Sequence, residues 1–393
     1  LDLDKPQYNL GKFLTEANYP YGRIIQAYGT EFSMVLAKKS PFPTSVMADW
    51  DAAKKCDRRK FPLGVDDLGN PVYWDTKTTP HLLVSGKSGS GKSSASQIVI
   101  AEALLKGEDI ILIDPSKGCI DFTQWARPKA LAFVGLYQLR ETEAVISWAR
   151  EEMAERVRIN NKYGVGNIFE LNPDEVDEAD RKHLKPLNIL FDEFNSYLQE
   201  TGKTTQNPQK DMQIANDNAA VSATNASIAR TMSALSKIIV QGRTAGIRCI
   251  FGAQRLTMDD MKKYNANAFF RSLGRVLLGM DSPAGVVSAQ NLSEANRLQK
   301  SLKNEDGTIP VGRGMYESMQ GTMMAVQTWY SGGQEELAKL VEDVPNPDPI
   351  DYQQYMPRAA EQFTKLDVED IKEIFTSNNP ETVEEEEVEE EEW

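Results

Sequence analysis

The 393-residue sequence has few of the residues that build metal and redox centres. It holds three cysteines, Cys56, Cys119 and Cys249, and two histidines, His81 and His183. The cysteines are odd in number, far apart and without Cys-x-x-Cys spacing. That excludes the usual zinc constellations and leaves reduced, structural thiols of a cytoplasmic protein as the expectation. No run of about eighteen apolar residues occurs, so no segment reads as a membrane span. No signal peptide is evident. The chain begins at Leu1 rather than Met, which leaves an upstream segment open. Positive charge is also short, with a formal net charge of −14. The deficit is local: residues 381–393 contain nine Glu and no Lys or Arg, and removing those nine takes the charge from −14 to −5. Nucleic-acid binding needs a local basic patch rather than a basic whole, so charge excludes neither DNA nor protein as a partner.

What is present is alternation. Residues 1–60 form a small N-terminal region with Pro and aromatic residues and no clear motif. From 61 to 342 short apolar runs alternate with helical patterns. The runs at 81–86, 109–114, 187–192, 247–254 and 273–280 read as strands buried on both faces of a mainly parallel sheet. Residues 93–106 read as a helix stopped by Gly107. Residues 140–160 put charge on one face and Val145, Trp148, Ala149 and Met153 on another. The expected fold is α/β, a mainly parallel sheet flanked by helices.

Two segments break the pattern. Residues 200–228 are polar, poor in large apolar side chains, and read as an irregular insertion. Residues 343–393 carry prolines and then the Glu run, whose end is expected to be disordered for lack of apolar surface to bury.

The strongest motif is Gly86-Lys87-Ser88-Gly89-Ser90-Gly91-Lys92-Ser93, which fits G-x-x-x-x-G-K-[ST] at every fixed position, after an apolar run and before a helical one. Glycines let the backbone wrap a phosphate, and N–H groups at the helix start point at it. Gly86, Ser88, Gly89, Ser90, Gly91, Lys92, Ser93 and Ser94 are the candidate ATP-binding residues. Lys92 is expected to reach the β- and γ-phosphates. Ser93, with Asp192 at the end of Leu187-Asn188-Ile189-Leu190-Phe191, is expected to hold Mg²⁺. Glu193, next to Asp192, is the candidate for polarising the attacking water. Gln254, at the tip of its strand, is placed to sense the γ-phosphate. Asp114 reads as a turn or helix cap.

These pieces occur in an order that resembles the motor domain of the FtsK/SpoIIIE DNA translocases, among the HerA/FtsK-like P-loop ATPases. The resemblance runs from Pro62-Leu63-Gly64-Val65-Asp66 through the P-loop, Ile113-Asp114-Pro115, Gly164-Val165-Gly166-Asn167, Asp192-Glu193-Phe194 and Ala253-Gln254-Arg255 to Gly312-Arg313-Gly314-Met315-Tyr316. It departs at the 200–228 insertion, at Asp281-Ser282-Pro283-Ala284-Gly285, and in showing no winged-helix module. The resemblance implies a RecA-like P-loop ATPase core and an ATP-driven homo-hexameric ring around double-stranded DNA, gripping phosphates with little sequence readout. It also implies an arginine supplied across the subunit interface, for which Arg271 and Arg275 are the candidates ahead of Arg243. The alternatives are a conjugative coupling or type VII secretion-like translocase, and, of another class, a nucleotide-dependent switch or scaffold. The insertion, with Lys203 and Lys210, reads as a surface loop sooner than a channel loop. The Glu tail, ending at Trp393, reads as a solvated segment sooner than one that engages a basic partner.

Overall fold

The computed structural model describes residues 19, 21–28, 31–38, 42–199, 212–264, 266–280, 289–304 and 306–357. Lys203, Lys210, the 281–285 motif and the Glu tail lie outside them. The chain divides into a main unit, residues 1–199 and 227–356, and a second unit, residues 200–226 and 357–393.

The strands are β1 Tyr21–Tyr28, β2 Glu31–Ala37, β3 Val46–Met47, β4 Lys60–Val65, β5 Pro71–Asp75, β6 His81–Gly86, β7 Asp109–Ile113, β8 Ala132–Val134, β9 Leu187–Phe191, β10 Ile247–Ala253, β11 Leu273–Leu278, β12 Arg313–Glu317 and β13 Met323–Tyr330. The helices are α1 Trp50–Lys55, α2 Lys92–Leu105, α3 Leu139–Tyr163, α4 Glu178–Arg181, α5 Phe194–Tyr197, α6 Met212–Gln241, α7 Ala266–Arg271, α8 Leu292–Gln299 and α9 Gln334–Leu340.

β1 and β2 form an antiparallel hairpin. Among the described residues the other strands make one sheet in the order β5-β4-β13-β12-β11-β6-β10-β9-β7-β8, with β3 beside β13. The half from β11 to β8 is parallel. The half from β11 to β5 is antiparallel. β6, which leads into the P-loop, therefore sits between β10 and β11. The carboxyl ends of β6, β7, β9 and β10 point the same way, which is where an open α/β sheet presents a ligand site.

The period of two along a strand explains the two cores. Ile111 and Ile113 of β7 face one side, with Val145, Ala149 and Met153 of α3 and Met232, Leu235 and Ile238 of α6. Ile110 and Leu112 face the other, with Val99, Ile100, Ala103 and Leu104 of α2 and with Phe61 and Trp74. Both faces of the parallel half are covered, which is why those strands are continuously apolar. α2 is buried along nearly its whole length, so it lacks a polar stripe. α3 ends at Gly164, whose φ of 68° is a left-handed cap.

Two features differ from the expectations. Residues 212–228 are helical, not irregular: they open α6. Seven alanines and no proline fall between 212 and 241, so helix propensity holds where large apolar residues are missing. The apolar spacing that marks a helix starts only at Ile228. The main unit also reaches past the limits 61 and 342. Ala53 of α1 packs with Ile98 and Trp329, and Ile350 N–H donates to the Leu131 carbonyl at 3.0 Å. No helix among the described residues is long and apolar enough to cross a membrane.

Candidate ATP site

The P-loop leaves β6 at Gly86 and enters α2 at Lys92. It is closed by Ser90 N–H to the Lys87 carbonyl, 3.1 Å, and pinned by Gly312 N–H to the Ser90 carbonyl, 2.9 Å. Gly91 has φ 98°, and a Cβ there would stand 2.8 Å from Gly312 N, so this position tolerates no side chain. The loop borders a cavity of about 300 Å³ lined by Ser88, Gly89, Gly91, Lys92, Ser93 and Ser94, and by Lys117, Glu193, Gln254 and Val311. Ser94 Oγ is buried without a hydrogen-bond partner, a donor left open for a phosphate oxygen at the start of a helix.

The acidic pair is built by the turn after β9. Glu193 has φ 47°, in the left-handed region, and its N–H donates to Asp192 Oδ1 at 2.9 Å. The turn brings the Glu193 carboxylate to the P-loop lysine and the Asp192 carboxylate near enough to feel its charge. Glu193 Oε1 accepts from Lys92 Nζ at 3.1 Å and from Lys117 Nζ at 2.6 Å. Burial pushes the Asp192 carboxyl up, against the attraction of Lys92. Burial also pushes Glu193 up, but the hydrogen bond from Lys117 and the Lys92 charge outweigh it and hold Glu193 below the usual range. Asp192 needs its own space: a Cβ on Gly252 of β10 would lie 2.0 Å from Asp192 Oδ1.

Gln254 stands past the end of β10. Its N–H donates to Asn195 Oδ1 at 3.3 Å, and its carbonyl accepts from Ser85 Oγ at 3.2 Å. The strand tip is thus tied to both the acidic turn and the P-loop strand. Asp114 caps a turn, its Oδ1 accepting from Ser116 and Lys117 N–H at 3.1 and 2.9 Å and its Oδ2 from Cys119 N–H at 3.0 Å.

The donor set suits Mg²⁺, which takes hard oxygens and is held by one or two protein groups with phosphates and water. Ser93 and Asp192 are such donors, and no groups of three or more His, Cys, Asp or Glu that could form a different metal site occur among the described residues.

The structure brings Lys92, Ser93, Ser94, Glu193 and Gln254 to one cavity, with Asp192 adjoining through the turn. It does not bring the arginines there. Arg271 is exposed at the end of α7. Arg275 is buried in β11, 1% exposed, donating to the Phe270 and Leu273 carbonyls at 2.6 and 3.1 Å and paired with Glu317. An arginine spent inside its own subunit cannot serve a neighbour's nucleotide, so Arg275 is corrected to a structural residue. Sequence reasoning missed Lys117 and Gly252. The available signals were a lysine three residues beyond a strand-end Asp, and a glycine interrupting an apolar strand.

The FtsK/SpoIIIE family model matches residues 46–258, more than half of the chain. The chain belongs to the FtsK/SpoIIIE family. Among relatives of this family it is 29% identical over 136 residues to the DNA translocase SftA of Bacillus subtilis, covering 34% of this chain and 14% of that protein. It is 26% identical over 231 residues to DNA translocase FtsK 2 of Neisseria meningitidis, covering 53% and 20%. The chain thus spans a quarter or less of the length of these curated relatives. In structure it resembles the pCW3 conjugation coupling protein TcpA in its monomer form with ATPγS, with a TM-score of 0.60 at 19% identity over 86% of this chain and 87% of that one. That likeness bears on the fold, a P-loop ATPase fold.

Proposed function

We propose that this chain is an ATP-driven motor that moves double-stranded DNA. The observation that carries the reading is the convergence of Lys92, Glu193 and Gln254 on one cavity at the P-loop, in a chain of the FtsK/SpoIIIE family. The P-loop amides, Lys92 and the open Ser94 hydroxyl bind the phosphates. Ser93 and Asp192 would hold Mg²⁺, which would supply positive charge against the phosphates. Glu193 accepts a proton from the attacking water as the water oxygen bonds to the γ-phosphorus and the bond to the ADP oxygen breaks. Gln254 reports the γ-phosphate through its links to Ser85 and Asn195.

Chains assemble in this reading as a hexameric ring, with nucleotide at the subunit interfaces. Arg271, exposed and outside its own cavity, completes the neighbour's site. An arginine so placed stabilises charge on the transferring phosphoryl group. DNA is held through its phosphates, so binding is sequence-tolerant and weakens with salt. Steady-state ATPase activity, with and without long linear duplex at fixed moderate salt, tests the reading. Strong stimulation by duplex, lost in Lys92→Ala, supports it. Activity indifferent to DNA turns the reading toward a protein translocase or a switch.

A further inference from the structure

Glu193 Oε1 carries two ammonium groups, and the closer belongs to a residue outside the P-loop: Lys117 Nζ at 2.6 Å against Lys92 Nζ at 3.1 Å. The two ends of the Lys117–Glu193 contact differ in freedom. The Glu193 side chain is 5% exposed, on a left-handed turn tied to Asp192. Lys117 has its main chain fixed by the Asp114 carboxylate, yet its side chain is 59% exposed. When the contact opens, the lysine is the half that moves. Two ammonium groups occupy both lone pairs of Oε1, and their charge lowers the basicity of the whole carboxylate toward water. Lys92 has a second destination in the β- and γ-phosphates. Lys117 has a comparable one, because it lines the same cavity.

We propose that Lys117 is a positioning residue that latches Glu193 in the nucleotide-free site and releases it when a triphosphate enters. Hydrolysis is then gated at the turn after β7. The latch rests on the ATPase reading above. An ion pair to an exposed lysine is weak, so the negative charge of an entering triphosphate competes with Glu193 for the ammonium and frees the carboxylate in part of the ATP-bound population. The buried carboxylate stays aimed at the cavity and becomes available to water. The ATP-bound sites that stay latched hold down turnover without DNA.

The test is ATPase kinetics without DNA for wild type, Lys117→Met, Lys117→Arg and Lys92→Ala, with binding of a fluorescent ATP analogue. Wild-type turnover that vanishes in Lys92→Ala establishes the ATPase reading by itself. The latch then predicts that Lys117→Met raises kcat about threefold or more, while KM and the analogue's Kd move less than about twofold. Lys117→Arg, which can keep the ion pair, is predicted to stay within about twofold of wild type. A kcat that falls about tenfold in Lys117→Met, or an analogue bound about tenfold more weakly, makes Lys117 a phosphate ligand and overturns the latch. Unchanged kcat and KM make the contact a surface ion pair and overturn it equally. Absence of wild-type turnover defeats the ATPase reading, which is a different failure.

Discussion

Arg275 and Glu317 form a buried ion pair, Nη1 to Oε2 at 3.5 Å, across the junction where the sheet changes from parallel to antiparallel. The Glu317 carboxylate also accepts the Gln290 and Asn291 N–H groups, each at 2.8 Å, and burial pulls the Arg275 guanidinium down from its ordinary value. Removing one partner of such a pair strands the other charge, at a cost of about 3–5 kcal/mol. Arg275→Ala is therefore expected to lower the unfolding midpoint in urea, measured by circular dichroism. Arg271→Ala is expected to leave that midpoint in place, to lose ATPase activity, and to regain part of it when mixed with Glu193→Gln subunits. Absence of any rescue would mean that Arg271 acts within its own subunit.

Gly252 is the space that Asp192 occupies. A Cβ at 2.0 Å from Oδ1 cannot be absorbed without moving the carboxylate, and the turn carrying Glu193 goes with it. Gly252→Ala is expected to cut ATPase activity by about a hundredfold or more, in line with loss of one positioned catalytic group. Mg²⁺ titrations of turnover are expected to shift to higher concentration. Normal activity in this variant would contradict the placement of Asp192.

Glu193→Gln keeps the shape of the side chain and loses its basicity. Turnover is expected to fall by about 10²–10⁴-fold while nucleotide still binds, because Lys92 and the P-loop amides remain. Single-turnover hydrolysis beside fluorescent-nucleotide binding separates the two effects. Normal hydrolysis would remove Glu193 from the role of base.

His81, at the start of β6, is fully buried. Its Nε2 faces the Ile239 carbonyl at 3.0 Å and its Nδ1 accepts the Cys249 N–H at 3.0 Å, an arrangement that requires the neutral ring with the proton on Nε2. Burial pulls its pKa down from 6.5 to about 4. The unfolded chain takes up this proton first, so the contribution is present above pH 6.5 and is lost as pH falls toward 4. The integrated loss is on the order of 3 kcal/mol. Buried Glu102, held well above its usual range by desolvation, works in the opposite direction. The comparison of wild type with His81→Gln therefore isolates the histidine: the stability gap is expected to narrow as pH is lowered through this window. A gap that is constant with pH would contradict a neutral buried ring.

The P-loop and the acidic strand end could be read without the structure because their chemistry is local: a glycine pattern, a lysine, and carboxylates closing an apolar run. The parallel strands showed for the same reason, since burial on both faces leaves β6, β7, β9, β10 and β11 with no polar alternation. The antiparallel half did not. β4 and β12, Lys60-Phe61-Pro62-Leu63-Gly64-Val65 and Arg313-Gly314-Met315-Tyr316-Glu317, carry Gly, Pro or buried charge. Their pairing is decided by neighbours distant in sequence. Arg271 and Arg275 look alike four residues apart, and only the burial of β11 separates them. Lys117 reaches Glu193 across 76 residues through a turn whose direction is set by the Asp114 hydrogen bonds, which no spacing encodes.

The central claim, ATP-driven movement along duplex DNA, is tested most directly by displacement of a third-strand oligonucleotide bound near one end of a long linear duplex. The account predicts release with ATP, and none with Lys92→Ala or Glu193→Gln. A protein that hydrolyses ATP under the same conditions and leaves the third strand in place would contradict it.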